Sequence, residues 1–457
     1  LRIDDTDRER HVTDAIAKIL EGFRWIGMDW DEGPEVGGAY GPYQQSERGA
    51  IYRGAAEQLI ASGRVYRDYT TEAERTAERQ AAESAKRAYR FRRPEYTAEQ
   101  LRSFEAEGRP YALRFEVPSG RSVVVHDLIK GEVVQQSEEI GDFVIVRPDG
   151  TPLYNFASVV DDVAMRISHV IRAEEHLPNT FSQVLLFEAL GAEMPAFAHV
   201  PYVAEPGSRK KMSKRKMEEY AKKGILLYLH DYIERGYLPE ALMNYLSRLG
   251  WSYDDTQELF SRSELIEKFS LERVNSSPAS HDQDKLFWIE GEWMKLLPLE
   301  QKVEGVIPFL AREGLITPPA SDVERQRIGE VLIALGDRLK TFSDILKLGK
   351  FFFQDDVEYD PDAVKKRLKG PQVIPLLREM QELLIEVEHF DPATLEAAVH
   401  AYGERTGRKM GDVVNPLRVA VTGQAVGPGL YDCLVILGRD ACIARLGRAI
   451  AHVEGKG

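Results

Sequence analysis

Cysteine is nearly absent from this chain of 457 residues: Cys433 and Cys442 are the only two. That is too few for a disulfide framework or a four-cysteine zinc site, so both read as structural thiols. Long apolar runs are missing as well. No stretch approaches the roughly 20 apolar residues of a membrane span, and the opening LRIDDTDRER is charged from Arg2 onward, unlike a secretory leader. No membrane partner and a cytoplasmic location are the expectations. Positive charge is in deficit. A net charge of −14 argues against indiscriminate nucleic-acid binding, which depends on Lys and Arg displacing condensed counterions. Internal repeats and low-complexity segments are also lacking.

What is present is an apolar fraction of 43%, enough for the cores of about three domains at roughly 100–200 residues each. Basic residues are focused in two places. Lys86, Arg87, Arg90, Arg92 and Arg93 enclose Tyr89 and Phe91, and residues 209–216 hold six basic side chains in eight. An acidic body with such patches steers a polyanion to chosen spots and repels it elsewhere. Either cluster also has a plainer reading as a solvated face.

Along the chain, Leu1 and Ile3 precede a polar turn, and Ile16, Ile19, Leu20, Phe23 and Ile26 recur at helical spacing, an α/β opening. A glycine-rich stretch over 33–41 ends this unit; a second helix follows, and then a strand-like VYRDY. Residues 70–107 are charged, Ala-rich and helical in propensity. YALRFEV, RSVVVHDL, GEVVQQ and DFVIVR then read as strands between turns, giving an α+β insertion. The α/β pattern resumes at Tyr154, where HVIRAEEH predicts a buried strand, followed by a helix over 182–190 that Gly191 ends. Beyond the second basic run the chain is mostly helical. Leu376, Leu377, Met380, Leu383, Leu384 and Val387 form one apolar stripe, and Asp391-Pro392 suits a helix start.

Three segments carry chemistry. GSRKKMSKRKM, residues 207–217, sets a serine and several lysines on a glycine-flanked loop that can close over phosphates; a lysine ammonium is a compact charge on a flexible stem, able to follow a moving phosphate. Residues 149–180 read DGTPLYNFASVVDDVAMRISHVIRAEEHLPNT, in which Arg172 falls at the carboxyl end of a strand, the ligand-binding edge of an open α/β sheet. A guanidinium there takes a carboxylate through two parallel hydrogen bonds, or else serves a structural ion pair. The opening LRIDDTDRER gathers acids at a strand end.

These segments resemble glutamyl-tRNA synthetases, class I aminoacyl-tRNA synthetases. Lys211-Met212-Ser213-Lys214-Arg215 is similar to the second class I signature, residues 149–180 match almost residue for residue, and LRIDDTD is like Leu-Arg-Ile-Glu-Asp-Thr-Asp with Asp4 in place of Glu. YGPYQQSER, SSPASHDQDKLFW and PLRVAVTGQAVGPGL extend the likeness over nearly the whole chain. The resemblance implies an α/β class I fold: a Rossmann-like nucleotide-binding domain with an α+β insertion, followed by an all-α anticodon-binding region. The expected ranges are 1–69 and 148–206 for the two catalytic parts, 70–147 for an acceptor-end-binding insertion, 207–295 for the signature loop and stem-contact domain, and 296–457 for the anticodon domain.

It further implies ATP, carried with Mg²⁺, L-glutamate and tRNA(Glu) as partners, and a monomer. By match to the family, Lys211, Ser213 and Lys214 are catalytic; Asp4, Tyr154 and Arg172 hold glutamate; and Glu175 and Lys214 face ATP; Arg90, Arg92 and Arg93 are expected to meet tRNA because the insertion that carries this basic patch holds the acceptor end in the family. Bacterial members often hold zinc near a Cys-Tyr-Cys; here that place reads Asp68-Tyr69-Thr70, so no zinc is expected. The first class I signature, a His-Ile-Gly-His-like motif, lies before the Leu-Arg-Ile strand, where this chain begins. The expectation is a catalytic domain without its first strand and helix, inactive as it stands. A non-catalytic tRNA-binding relative and a glutaminyl-tRNA synthetase are the alternatives.

Overall fold

A computed structural model describes residues 1–5 and 15–455, apart from the side chains of Ala15 and Lys214. The polar turn expected after Ile3 therefore lies outside the described residues. The chain divides into two units, one of residues 1–217 with 246–282, the other of residues 218–245 with 283–457.

In the first unit, helix α1 (Ala15–Trp25) buries Leu20 as its spacing predicts. Ile3 makes a single parallel bridge to Gln44 rather than a full strand. Helix α2 (Gly49–Ala61) leads into strand β1 (Val65–Asp68). The charged stretch forms α3 (Glu72–Ser84) and α4 (Ala98–Ala106). Each helix begins with a capping box, Thr71 with Glu74 and Thr97 with Gln100, which satisfies backbone N–H groups that have no partner within the helix. All four expected strands form: β2 (Ala112–Phe115), β3 (Ser122–Asp127), β4 (Gly131–Gln136) and β5 (Phe143–Val146).

Helix α5 (Tyr154–Ala164), strand β6 (His169–Ala173), helix α6 (Leu177–Leu190) and strand β7 (Ala196–Val200) complete an α/β arrangement. Gly191 ends α6 in the left-handed conformation at φ 64°, as expected, although the helix begins five residues earlier than its periodicity suggests. One sheet runs β4-β3-β7-β6, with β6 and β7 parallel and β3 parallel to β7. A second, antiparallel sheet runs β1-β2-β5. The sheets thus interleave segments from 1–69, 70–147 and 148–206. Over them lies a core that includes Phe115, Val125, Phe156, Leu186 and Phe197.

Strand β6 departs from the expected buried strand. Among the described residues it pairs only with β7, and Ile171 is 54% exposed. An apolar run alone cannot tell a central strand from an edge one, because both need one covered face.

The second unit is helical throughout its described residues. Leu376, Leu377, Met380 and Leu384 of helix Val373–Glu386 are buried, and Asp391 caps helix Pro392–Thr406 by accepting from the Thr394 N–H.

Candidate active site

A cavity of about 640 Å³ opens in the first unit along β6 from His169 to Arg172, lined also by Arg2, Asp4, Tyr154 and Asp162 among others. The strand register decides who meets Arg172. Parallel pairing sets it opposite His199 on β7, and α6 brings Thr180 and Gln183 beneath both. Arg172 Nε donates to His199 Nε2 at 3.2 Å, Nη1 to the Tyr154 hydroxyl at 3.1 Å, and Nη2 to Thr180 Oγ1 at 2.8 Å and Gln183 Oε1 at 2.6 Å. Four of the five guanidinium N–H groups are therefore engaged. The free fork expected for two parallel bonds to a carboxylate is not there, because its Nη2 and Nε edges are held by the protein. The remaining Nη1 N–H lies beside a Tyr154 hydroxyl that still has its own proton to give.

All four acceptors are neutral, and among the described residues no carboxylate pairs directly with Arg172. A half-buried cation without a counter-charge favours an anionic ligand. The plainer reading of Arg172, a structural ion pair, does not describe this arrangement.

His199 is fully buried and its Nδ1 lies 2.6 Å from Asp127 Oδ2. Asp127 in turn accepts from the backbone N–H groups of Ile129, Lys130 and His199. Burial lowers the His199 pKa, helped by the Arg172 charge and opposed by Asp127. Burial acts to raise the Asp127 carboxyl, but these hydrogen bonds outweigh it and hold the group below its usual range.

Asp4 lines the cavity, where Arg2 Nε holds it at 2.8 Å; Arg2 also reaches Asp162 at 2.9 Å. Behind them Asp161, fully buried, accepts from Gln45, Arg48 and Tyr52 at 2.8, 2.6 and 2.9 Å. The segment YGPYQQSER, which carried no chemical role in the sequence, is thereby clamped onto α5.

The 207–217 loop is anchored at its base. Met212 N–H donates to Val203 O and Glu205 N–H to Lys210 O, closing a hairpin on the short strand β8 (Val203–Ala204). Ser213 Oγ accepts from the Arg215 N–H at 3.3 Å, starting the short helical turn Lys214–Lys216. Lys211 and Glu175 form an ion pair, which joins two of the expected site residues. The Lys214 side chain lies outside the described residues.

The patch expected to meet tRNA is only partly available. Arg92 donates to the carbonyl oxygens of Ile140 at 2.7 Å, Ser137 and Glu138 at 3.3 Å, and to Asp142 at 3.3 Å. It clasps the 137–142 turn while its side chain stays 39% exposed. Phe91 is buried, with the Arg114 guanidinium 3.7 Å from its ring centroid, so it offers no face to a base. Arg90 and Arg93 are exposed as well, Arg93 beside Glu116 at 3.0 Å. At the Asp68-Tyr69-Thr70 position, Asp68 accepts from Arg114 at 2.9 Å, and buried Tyr69 packs against Tyr96, Phe104 and Tyr111.

Among known proteins, the family described as tRNA synthetases class I (E and Q), catalytic domain, matches residues 1–288. The chain belongs to this family. An anticodon binding domain matches residues 301–450, so a class I synthetase catalytic domain with mixed sheets is followed by an all-helical anticodon-binding domain. Similar relatives include the glutamate–tRNA ligase of Moorella thermoacetica, 40% identical over 99% of this chain and 91% of that protein. The glutamate–tRNA ligase of Bacillus subtilis is 38% identical over 98% and 91%. A crystal structure of a glutamate tRNA ligase from Elizabethkingia meningosepticum in complex with its amino acid superposes with a TM-score of 0.86 at 31% identity, covering 99% of this chain and 92% of that one.

Sequence reasoning missed Asp127, Thr180, Gln183 and His199 as neighbours of Arg172. One signal was legible: His199 is a polar residue in the otherwise apolar strand AFAHV.

Proposed function

We propose that the chain is a glutamate–tRNA ligase. Glutamate and ATP form glutamyl-adenylate and pyrophosphate, and the glutamyl group then passes to the 3′-terminal adenosine of tRNA(Glu). The observation that carries this reading is the pair Tyr154 and Arg172 at the cavity. The remaining Nη1 N–H and the phenolic proton stand side by side at the cavity, and the cation behind them lacks a counter-charge. A side-chain carboxylate completes that arrangement, whereas the neutral amide of glutamine leaves the charge uncompensated, a large source of selectivity. This favours glutamate over the family's other amino acid.

In this reading Asp4 faces the substrate ammonium, with Arg2 fixing its direction. Glu175 lines the ATP side, and Lys211, Ser213 and Lys214 bring the signature loop to the phosphates. Mg²⁺ arrives on ATP, since among the described residues no group of three His, Cys, Asp or Glu side chains is gathered to hold a metal. Chemistry of this kind is mostly positioning and charge stabilisation. The 70–147 segment receives the acceptor end, with Arg90 and Arg93 on phosphates. No described helix is long and apolar enough to cross a membrane, and the proposed reaction belongs in the cytoplasm with its tRNA. Pyrophosphate exchange with tRNA present tests the assignment: glutamate should support it and glutamine should not, and the reverse would reassign the chain to the glutamine type.

A further inference from the structure

We infer that His199, locked by Asp127 as the neutral tautomer with its proton on Nδ1, is a positioning residue that fixes the Arg172 guanidinium for its carboxylate ligand. The inference rests on the reading of Arg172 as the glutamate-side-chain ligand and adds what holds that ligand in place.

The hydrogen-bond roles favour one solution. Arg172 Nε can only donate, so the His199 Nε2 that it meets at 3.2 Å must accept and carries no proton. The Asp127 carboxylate can only accept, so the Nδ1 at 2.6 Å must donate. Asp127 is fixed by three backbone N–H groups, from Ile129, Lys130 and His199 itself, so the imidazole cannot turn without breaking a buried network. Thr180 Oγ1 lies 3.1 Å from Nε2 and could accept from an Nε2–H, but either other state of the ring, the Nε2–H tautomer or the imidazolium, would set that N–H against the Arg172 Nε–H at 3.2 Å. The low pKa that burial gives His199 agrees with the neutral ring.

This geometry does two things. It aims the guanidinium plane by holding its Nε edge, while Thr180 and Gln183 hold Nη2, so that only Nη1 is presented to the cavity. It also places the negative charge of Asp127 one ring away from Arg172 rather than in contact with it. A directly paired aspartate would neutralise the guanidinium and compete with the substrate carboxylate. The neutral imidazole keeps the cation hungry for its ligand but fixed in direction, as outer-shell partners do for metal-bound histidines.

The test compares His199→Leu, which removes the acceptor, with His199→Gln, whose side-chain oxygen can reach the place of Nε2. In the full-length enzyme, H199L should raise the KM for glutamate roughly ten- to hundredfold, the usual range for a lost hydrogen bond to a charged group, with the KM for ATP moved by less than about twofold. H199Q should recover most of the loss. An unchanged glutamate KM in H199L, or equal impairment in both variants, overturns the inference. Nitrogen NMR of the histidine-labelled protein decides the matter even where a variant fails to fold. It should show a proton on Nδ1 and none on Nε2 for the signal assigned to His199; a proton on Nε2 overturns the inference. Arg172→Ala separates the two levels. If it leaves the glutamate KM unchanged, the reading of the pocket fails; if it raises that KM and H199L does not, only the role of His199 fails.

Discussion

Tyr154 and Arg172 meet at 3.1 Å, the guanidinium donating to the phenol oxygen. The tyrosine proton is thereby turned outward, so that each residue orients the other's remaining donor. Tyr154→Phe removes one of these two donors without changing the shape of the ring. The KM for glutamate should rise by roughly ten- to hundredfold with little change for ATP. Exchange kinetics read this directly, and an unaltered KM would exclude Tyr154 from the ligand.

Lys214 carries the proposed phosphate chemistry. Lys214→Ala should slow adenylate formation by roughly 10²–10³, the usual loss for one transition-state contact, and weaken ATP binding far less. Single-turnover measurement separates the two quantities. Normal turnover with only a raised ATP KM would make this lysine a ground-state binder.

Arg90 and Arg93 can be told apart from Arg92. Replacing Arg90 and Arg93 together with Ala should lower the slope of tRNA affinity against salt by about 1.5, two charges' worth, and leave the melting temperature nearly unchanged. Arg92→Ala should instead lower the melting temperature, because the carbonyls of Ser137, Glu138 and Ile140 lose their donor. Salt titration and calorimetry on the two variants assign the roles.

Glu290 in the helical unit is fully buried; its Oε1 accepts from the Leu238 N–H, and among the described residues its Oε2 has no partner. Burial, with Glu240 and Asp344 adding repulsion, pushes its pKa well above the ordinary 4.5. A carboxyl raised in this way stabilises the fold below the unfolded value and loses that contribution as pH climbs through the folded one. Glu290→Gln should therefore flatten the fall of stability with rising pH and gain about 1–3 kcal/mol at the alkaline end. Denaturation of both proteins at several pH values checks this, and parallel curves would remove Glu290 as the cause.

Cys433 and Cys442 are buried, and desolvation pushes both thiols up to about 12. A thiol that holds its proton is a poor nucleophile. Neither should react with a thiol reagent at mildly alkaline pH in the folded chain, and both should react on unfolding; prompt labelling of the native protein would contradict their burial.

The sequence by itself determined the family, the order of helices and strands in the insertion, and the identity of Arg172 and Tyr154 as the residues to watch. Periodicity and short motifs are local properties, and a chain carries them wherever it folds. The helix end at Gly191 was legible because a left-handed residue is needed there whatever surrounds it. Tertiary structure decided what no local pattern holds. The basic run over 86–93 shows five cations, but a guanidinium is long enough to turn inward, and whether it meets carbonyls or solvent depends on a turn nearly fifty residues away. His199 became a partner of Arg172 through strand register alone. A register is fixed by which faces are buried across the whole sheet, so the residues that aim the binding cation come from three separate stretches of chain, and their meeting could not be read from any one of them.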